Sequence, residues 1–258
     1  MSRPRGTGRT TPRSAGLRVL RIAGVGVVIV LALVAVLTAL RTELPRSPGV
    51  MSDALGPENG EVVDDYLARA ASSLGDDDED PATGADDHRW ALVSADRAWT
   101  VPEAAAVVRG LPRVSGLYVQ VPVEGVAMPV TGVTLAEPVA GESGREPVFD
   151  RGLRDVVERL DGDLPVGPGA QAPPDADRAA ATAALTVSRI RSGAPAIIGL
   201  LARGTPAQLR SVAGQPWVRA VEALPADAVW ERFAVRPLQP QQVDAAFPLP
   251  DDAPVPSA

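Results

Sequence analysis

The sequence predicts an α+β protein: an N-terminal transmembrane helix, then an extracytoplasmic domain built from a duplicated β-α-β unit with a helical insertion. Three observations lead there. Residues Ile22 to Leu40 form a run of 19 without a charge. The order strand, helix, strand occurs twice at a constant spacing. Between the two copies, residues 126–195 carry helical periodicity rather than strand alternation.

At about 1.5 Å per residue, a helix over Ile22 to Leu40 spans roughly 28 Å, the thickness of one hydrocarbon core. Arg3, Arg5, Arg9, Arg13, Arg18 and Arg21 precede it with no acid among them. The positive-inside rule therefore keeps residues 1–21 in the cytoplasm, as a disordered Arg-rich tail, and exports the rest. A cleaved secretory signal has a shorter apolar core and an A-x-A site, which Leu37-Thr38-Ala39 does not supply. The expected location is the cell membrane, crossed once by a signal anchor. Charge divides the chain in the same way: residues 1–46 hold eight Arg and one acid, Glu43, whereas residues 47–258 hold 17 Arg against 31 acids. So acidic an ectodomain repels nucleic acid and anionic lipid.

Residues 41–58, broken by Pro45, Pro48, Gly49, Gly56 and Pro57, read as a juxtamembrane linker. The folded domain is expected over 59–236. It opens with a helix capped by Asn59, whose apolar face is Val62, Val63, Tyr66, Leu67, Ala70 and Leu74. Seven acids then fall within Asp76 to Asp87, a solvated loop by composition. Asp76, Asp78 and Asp80 have the spacing of the first ligands of a calcium loop, with Asp87 at its twelfth position. Pro81 stands where that loop needs Gly, so no metal is expected.

Arg89 to Ala95 reads as a strand, Thr100-Val101-Pro102-Glu103 as a capping box opening a helix to Arg109, and Val114 to Val121 as the next strand. Ala196 to Leu201, a helix from Thr205-Pro206, and Trp217 to Ala223 repeat that order. At an offset of 104, Pro102, Val108, Gly110, Pro112 and Val114 meet Pro206, Val212, Gly214, Pro216 and Val218. Two such units pack most simply as a four-stranded antiparallel sheet with both helices on one face, the ferredoxin-like arrangement. Within the insertion, Phe149, Leu153, Val156 and Leu160 define one helix, and Ala176, Ala180, Ala183, Val187 and Ile190 another. Six prolines in residues 237–258 predict a disordered, extended tail.

The segment Leu209 to Glu222 resembles the second half of subtilisin-type propeptide inhibitor domains. The strand Leu117 to Val121, with the duplicated units, resembles SPOR domains, which bind peptidoglycan glycan strands from single-span anchors. Both resemblances imply a ferredoxin-like fold, and no functional residue carries across from either. In layout, and in its all-Arg, Ala/Val/Gly/Pro-rich composition, the chain is similar to single-pass envelope proteins of actinobacteria.

Composition excludes several chemistries. The chain has no Cys and no Lys, and so no thiolate nucleophile, Schiff base, Ser-x-x-Lys pair or phosphate-loop lysine. His88 is the only His, beside an acidic loop, which rules out an imidazole pair on a metal. Gly141-Glu142-Ser143-Gly144 lacks the spacing of a nucleophile elbow. Asp150, Asp155 and Glu158 suit the polar face of a helix, and Glu222 reads as a polar edge residue. Trp90, Trp99, Trp217 and Trp230 read first as core anchors and second as sugar-stacking rings. Arg203, Arg210, Arg219, Arg232 and Arg236 read as salt-bridged surface with Glu222, Asp227 and Glu231. No catalytic, cofactor or metal residue is assigned. The expected function is a non-enzymatic protein-interaction module with another envelope protein as partner. The alternatives are a peptidoglycan-binding wall module and, third, a carboxylate-dependent hydrolase.

Overall fold

The structure, a computed structural model, describes residues 53–75, 88–136, 138, 143–162 and 176–258. The apolar run Ile22 to Leu40, the Arg-rich residues 1–21 and the acidic stretch Asp76 to Asp87 lie outside them. Among the described residues no helix is long and apolar enough to cross a membrane.

In chain order the elements are β1 (Ala54–Leu55), α1 (Val63–Ser72), β2 (Arg89–Trp99), α2 (Val101–Val107), β3 (Arg113–Val119) and β4 (Thr131–Thr134). There follow α3 (Glu146–Gly162), α4 (Ala176–Arg191), β5 (Ile197–Gly204), α5 (Pro206–Ala213), β6 (Val218–Ala223) and β7 (Ala234–Val235). The fold is mixed α+β around a five-stranded sheet of order β4-β3-β5-β2-β6, with every neighbouring pair antiparallel. A separate parallel pair joins β1 to β7. The fifth strand, β4, lies inside the expected helical insertion. Thr131-Gly132-Val133-Thr134 is too short to show alternation, and it forms because Val133 finds Leu117 across the ladder.

The expected capping box of Thr100 with Glu103 is present, and the helix expected from Thr205-Pro206 opens with a second one, Thr205 with Gln208. Their spacing is 105, not the 104 of the proline match, because Pro102 is the second helical residue of α2 while Pro206 is the first of α5. Arg97 and the Thr100 backbone amide hold the Glu103 carboxyl down at about 2.

The first face of the sheet packs Ala91, Val93, Leu117, Val119, Leu200, Ala202 and Val221 against all four helices of the repeat and insertion. Helix α3 closes on β3 and β4 at Gly152, where a β-carbon would stand 2.6 Å from a Leu135 methyl. Helix α4 buries Val187 and packs Ile190 on the core, as expected. The expected Ala176, Ala180 and Ala183 are only half-buried, and its inward face is rotated toward two threonines and Leu185. Thr182, Leu185, Thr186 and Val187 are buried. The two threonines tolerate this because their hydroxyls bond back to the carbonyls of Ala179 and Thr182.

The second face is covered as well. Trp90, Leu92 and Leu201 pack with Leu55, Leu224 and Phe233, while Ala220 packs with α1 through Val63, Tyr66 and Ala70 and with Leu238. Helix α1 begins after Val62 rather than at Asn59, and Val62 makes no side-chain cap. The Asp244 carbonyl accepts the Val63 amide at 2.9 Å instead, a tertiary cap that local spacing cannot reveal.

That contact belongs to the expected tail. Residues 237–258 have no regular structure, as their prolines dictate, yet they form a strap rather than a free end. Leu238 and Ala246 are fully buried. Arg219 donates to the carbonyls of Gln239, Pro240 and Gln242, and Arg178 Nε donates to Asp251 Oδ2 at 2.9 Å, tying the strap to α4. Removing a buried side chain should show this: Leu238→Ala is expected to destabilise the full chain by about 2–5 kcal/mol, and the exposed Phe247→Ala by no more than about 0.5 kcal/mol. Chemical denaturation in detergent, followed by Trp fluorescence, measures both.

Candidate functional site

Two polar constellations sit on the second face. The first centres on Glu222 of β6. Its ladder position, opposite Leu92, turns the side chain toward α1 and away from solvent, and the residue is 5 % exposed. One carboxylate oxygen accepts the Gly56 amide at 2.5 Å and the other accepts Arg69 Nη1. Only glycine fits at 56, where φ is +104° and a β-carbon would overlap the Arg236 carbonyl oxygen. Arg69 also reaches Glu61, with Nε to Oε1 at 3.2 Å and Nη2 to Oε2 at 2.9 Å.

Burial raises the Glu222 carboxyl above its ordinary value of 4.5, outweighing the Gly56 amide and the Arg69 charge, which pull it down. Glu61 moves the other way under the Arg69 hydrogen bonds. Burial, and then the Glu222 charge, push the Tyr66 hydroxyl well above its ordinary value. That hydroxyl lies beside Ser94 Oγ and Glu222, but neither Tyr66 nor Ser94 completes a hydrogen bond of standard geometry. The expected polar edge residue is therefore a buried anion held by a half-exposed cation.

The second constellation is the end of the sheet where β2 and β3 start and β5 finishes. Arg113 and Arg203 are ladder partners, and their guanidinium carbons lie 5.8 and 5.6 Å from the centre of the Trp90 ring. Trp230 stacks at a tilt on Trp90, 4.6 Å between centroids, and Phe233 closes the cluster. Beyond it Tyr118 lies over Gly132 of β4. Here the second face thins out: Gly132 and Thr134 are exposed, and β4 ends the sheet. At the opposite edge, the Ala223 amide of β6 is taken by Ser73 Oγ at 2.8 Å.

The remaining candidates are dispersed. His88 is exposed, and its carbonyl accepts Arg203 Nε at 3.3 Å; Ser143 lies in the exposed turn before α3. Asp150 and Glu158 border an open groove on α3 and α4, but eight residues of helix separate their backbones by about 12 Å. Asp161 in the same groove is paired with Arg191 at 2.6 Å, and Asp155 is exposed.

Trp99 is fully buried, Trp90 nearly so, and Trp217 is 40 % exposed under Arg97, so the indoles do not line one groove. Arg219 and Arg236 clip backbone carbonyls instead of the expected acids. The calcium spacing lies outside the described residues, and among the described ones no acid or His cluster could hold a metal.

The Glu222 contacts imply a signed pH response. A carboxyl whose folded value is raised contributes most when protonated, and that contribution is lost as pH rises from about 4.5 through the raised value. Glu222→Gln should therefore flatten the decline of stability with pH above 4.5. Arg69→Met should cost about 1–3 kcal/mol at pH 7, discounted for the exposure of Arg69, and less at pH 4.5. Denaturation midpoints of the full chain across pH 4 to 8 test both. No protein family, curated protein or solved structure matches this chain, so its own geometry carries the functional reading.

Proposed function

We propose that this protein is a single-pass envelope protein, anchored through Ile22 to Leu40, whose exported domain is a non-enzymatic protein-interaction module on a ferredoxin-like frame. The strand order β6-β2-β5-β3 supports that frame, since two successive β-α-β units that pair their first strands centrally give this order. Twin capping boxes at the start of α2 and α5 support an origin by duplication.

One observation carries the interaction reading: the unequal treatment of the two sheet edges. Strand β6 is lined by α1 and has an amide taken by Ser73, whereas β4 has an exposed outer side beside the Tyr118 surface. Ladder alternation turns the backbone groups of Gly132 and Thr134 outward, because Leu135 bonds inward to Ser115. Arg159 reaches the Gly132 carbonyl at 2.8 Å, but through an exposed side chain that a strand can displace. An extended segment of another envelope protein can add there by strand augmentation. Acids outnumber Arg by 31 to 17 in residues 47–258, which favours a neutral or basic segment.

The test is crosslinking in native membranes with full-length protein and a Thr134→Pro variant. Proline removes one outward amide at an edge strand, where it is tolerated. The expected result is a discrete protein adduct reduced at least fivefold by the substitution, at unchanged expression. An adduct indifferent to the proline would overturn the edge assignment. Co-sedimentation with protein-free cell wall would replace the reading with glycan binding.

A further inference from the structure

A cavity of about 430 Å³ opens between the start of β3, the residues following β4 and the first turn of α3. Its size is that of a small-molecule site. Val114, Leu135 and Val148 give it an apolar wall, and its polar groups are Arg113, Arg145 and Ser115.

The charge arrangement is what singles it out. Arg69, Arg97, Arg178 and Arg191 each hold a carboxylate. Among the described residues, neither Arg113 nor Arg145 holds one. Arg113 donates through Nε to Ser115 Oγ at 2.8 Å, and Arg145 through Nη2 to the Leu111 carbonyl. Burial lowers Arg145. The acid closest in sequence, Glu146, accepts the Arg145 backbone amide at 2.9 Å, with its carboxylate beside Gly144 of the cavity wall. Arg145, with no carboxylate partner among the described residues, and the exposed Arg113, whose guanidinium also covers the Trp90 ring, both line the cavity, so an entering anion would meet two arginines.

We propose that this cavity binds a small organic carboxylate with an apolar body. The flat guanidiniums suit a carboxylate, which can accept two parallel N–H groups, and the apolar wall receives the attached hydrocarbon. The Ser115 hydroxyl accepts from Arg113 and keeps its own proton to donate. The site does not depend on the partner reading, since titration with a small acid involves no partner and no strand addition.

Full-length protein in discs of neutral phosphatidylcholine is titrated calorimetrically with 4-phenylbutyrate, with 4-phenylbutanol as the uncharged body and with acetate as the charge alone. Empty discs supply the blank. The acid is expected to bind at least tenfold more tightly than either control. Arg145→Gln and Arg113→Gln should each weaken it at least tenfold, and Arg109→Gln, exposed and outside the cavity, should not. Ala136→Trp, at an exposed lining position, should block binding with both charges retained, which covers the case of a misfolded Arg145 variant. Equal affinity for acid and alcohol, no heat with the acid, or binding indifferent to Arg145→Gln, Arg113→Gln and Ala136→Trp would each overturn the assignment.

Discussion

The β2–β5 pair is apolar on both sides, and the rest of the described fold keeps water from it. Leu92 and Leu201 point to one face, Val93 and Leu200 to the other, and none is more than 3 % exposed. An antiparallel sheet usually leaves one face wet. Here burying both faces of such a pair requires two covering layers. Helices from the repeated units and the insertion supply the first. Nothing contiguous is left for the second, so it is assembled from residues preceding the first unit and following the last. Ala54 meets Ala234 across β1 and β7, and Val62 bridges to Ala245. Closure of the core therefore waits on contacts of long sequence separation, which are slow to form.

This second layer also explains the placement of a charge within the fold. Glu222 alternates with Val221 along β6, so once Val221 faces the helices, Glu222 must face α1. Its negative charge is tolerable only because Arg69 and the Gly56 amide reach it. Those partners come from α1 and from the turn after β1, which are the pieces the second layer must position. The network is thus a polar register mark on an otherwise greasy contact. Its energy is modest, because Arg69 remains in water, while its geometric demand is strict.

The sequence was legible where local rules govern. The strands of both units, the Thr100 capping box and the helices of the insertion follow from periodicity, turn residues and N-cap chemistry, and their bounds lie close to those read from the residues. What could not be read is tertiary in origin. Strand β4 has four residues and no signature of its own. The α1 cap is a carbonyl 181 residues away, Asp244 to Val63. The tail reads as disordered because proline density removes helix and ladder, but a chain without ladders can still be pinned through its carbonyls. Of the site, Trp90 was visible as an anchor and Arg203 as a basic residue. Their stacking with Arg113 needed the β3–β5 register, and Arg145 carried no signal beyond being one more arginine.

That pinning gives the absence of lysine a structural reading. Proline-rich segments keep their carbonyls but lose amide donors, so a strap of this kind must borrow donors from side chains. A guanidinium offers five in a fixed plane, an ammonium three around a point. Arg219 spans three strap carbonyls at once, Arg236 takes that of Ala246, and Arg178 holds both the Asp251 carboxylate and the Ala253 carbonyl. Used in this way, arginine replaces ladder hydrogen bonds in the strap. The ordered strap thus rests on arginines that divide their donors between strap carbonyls and, at Asp251, a strap carboxylate.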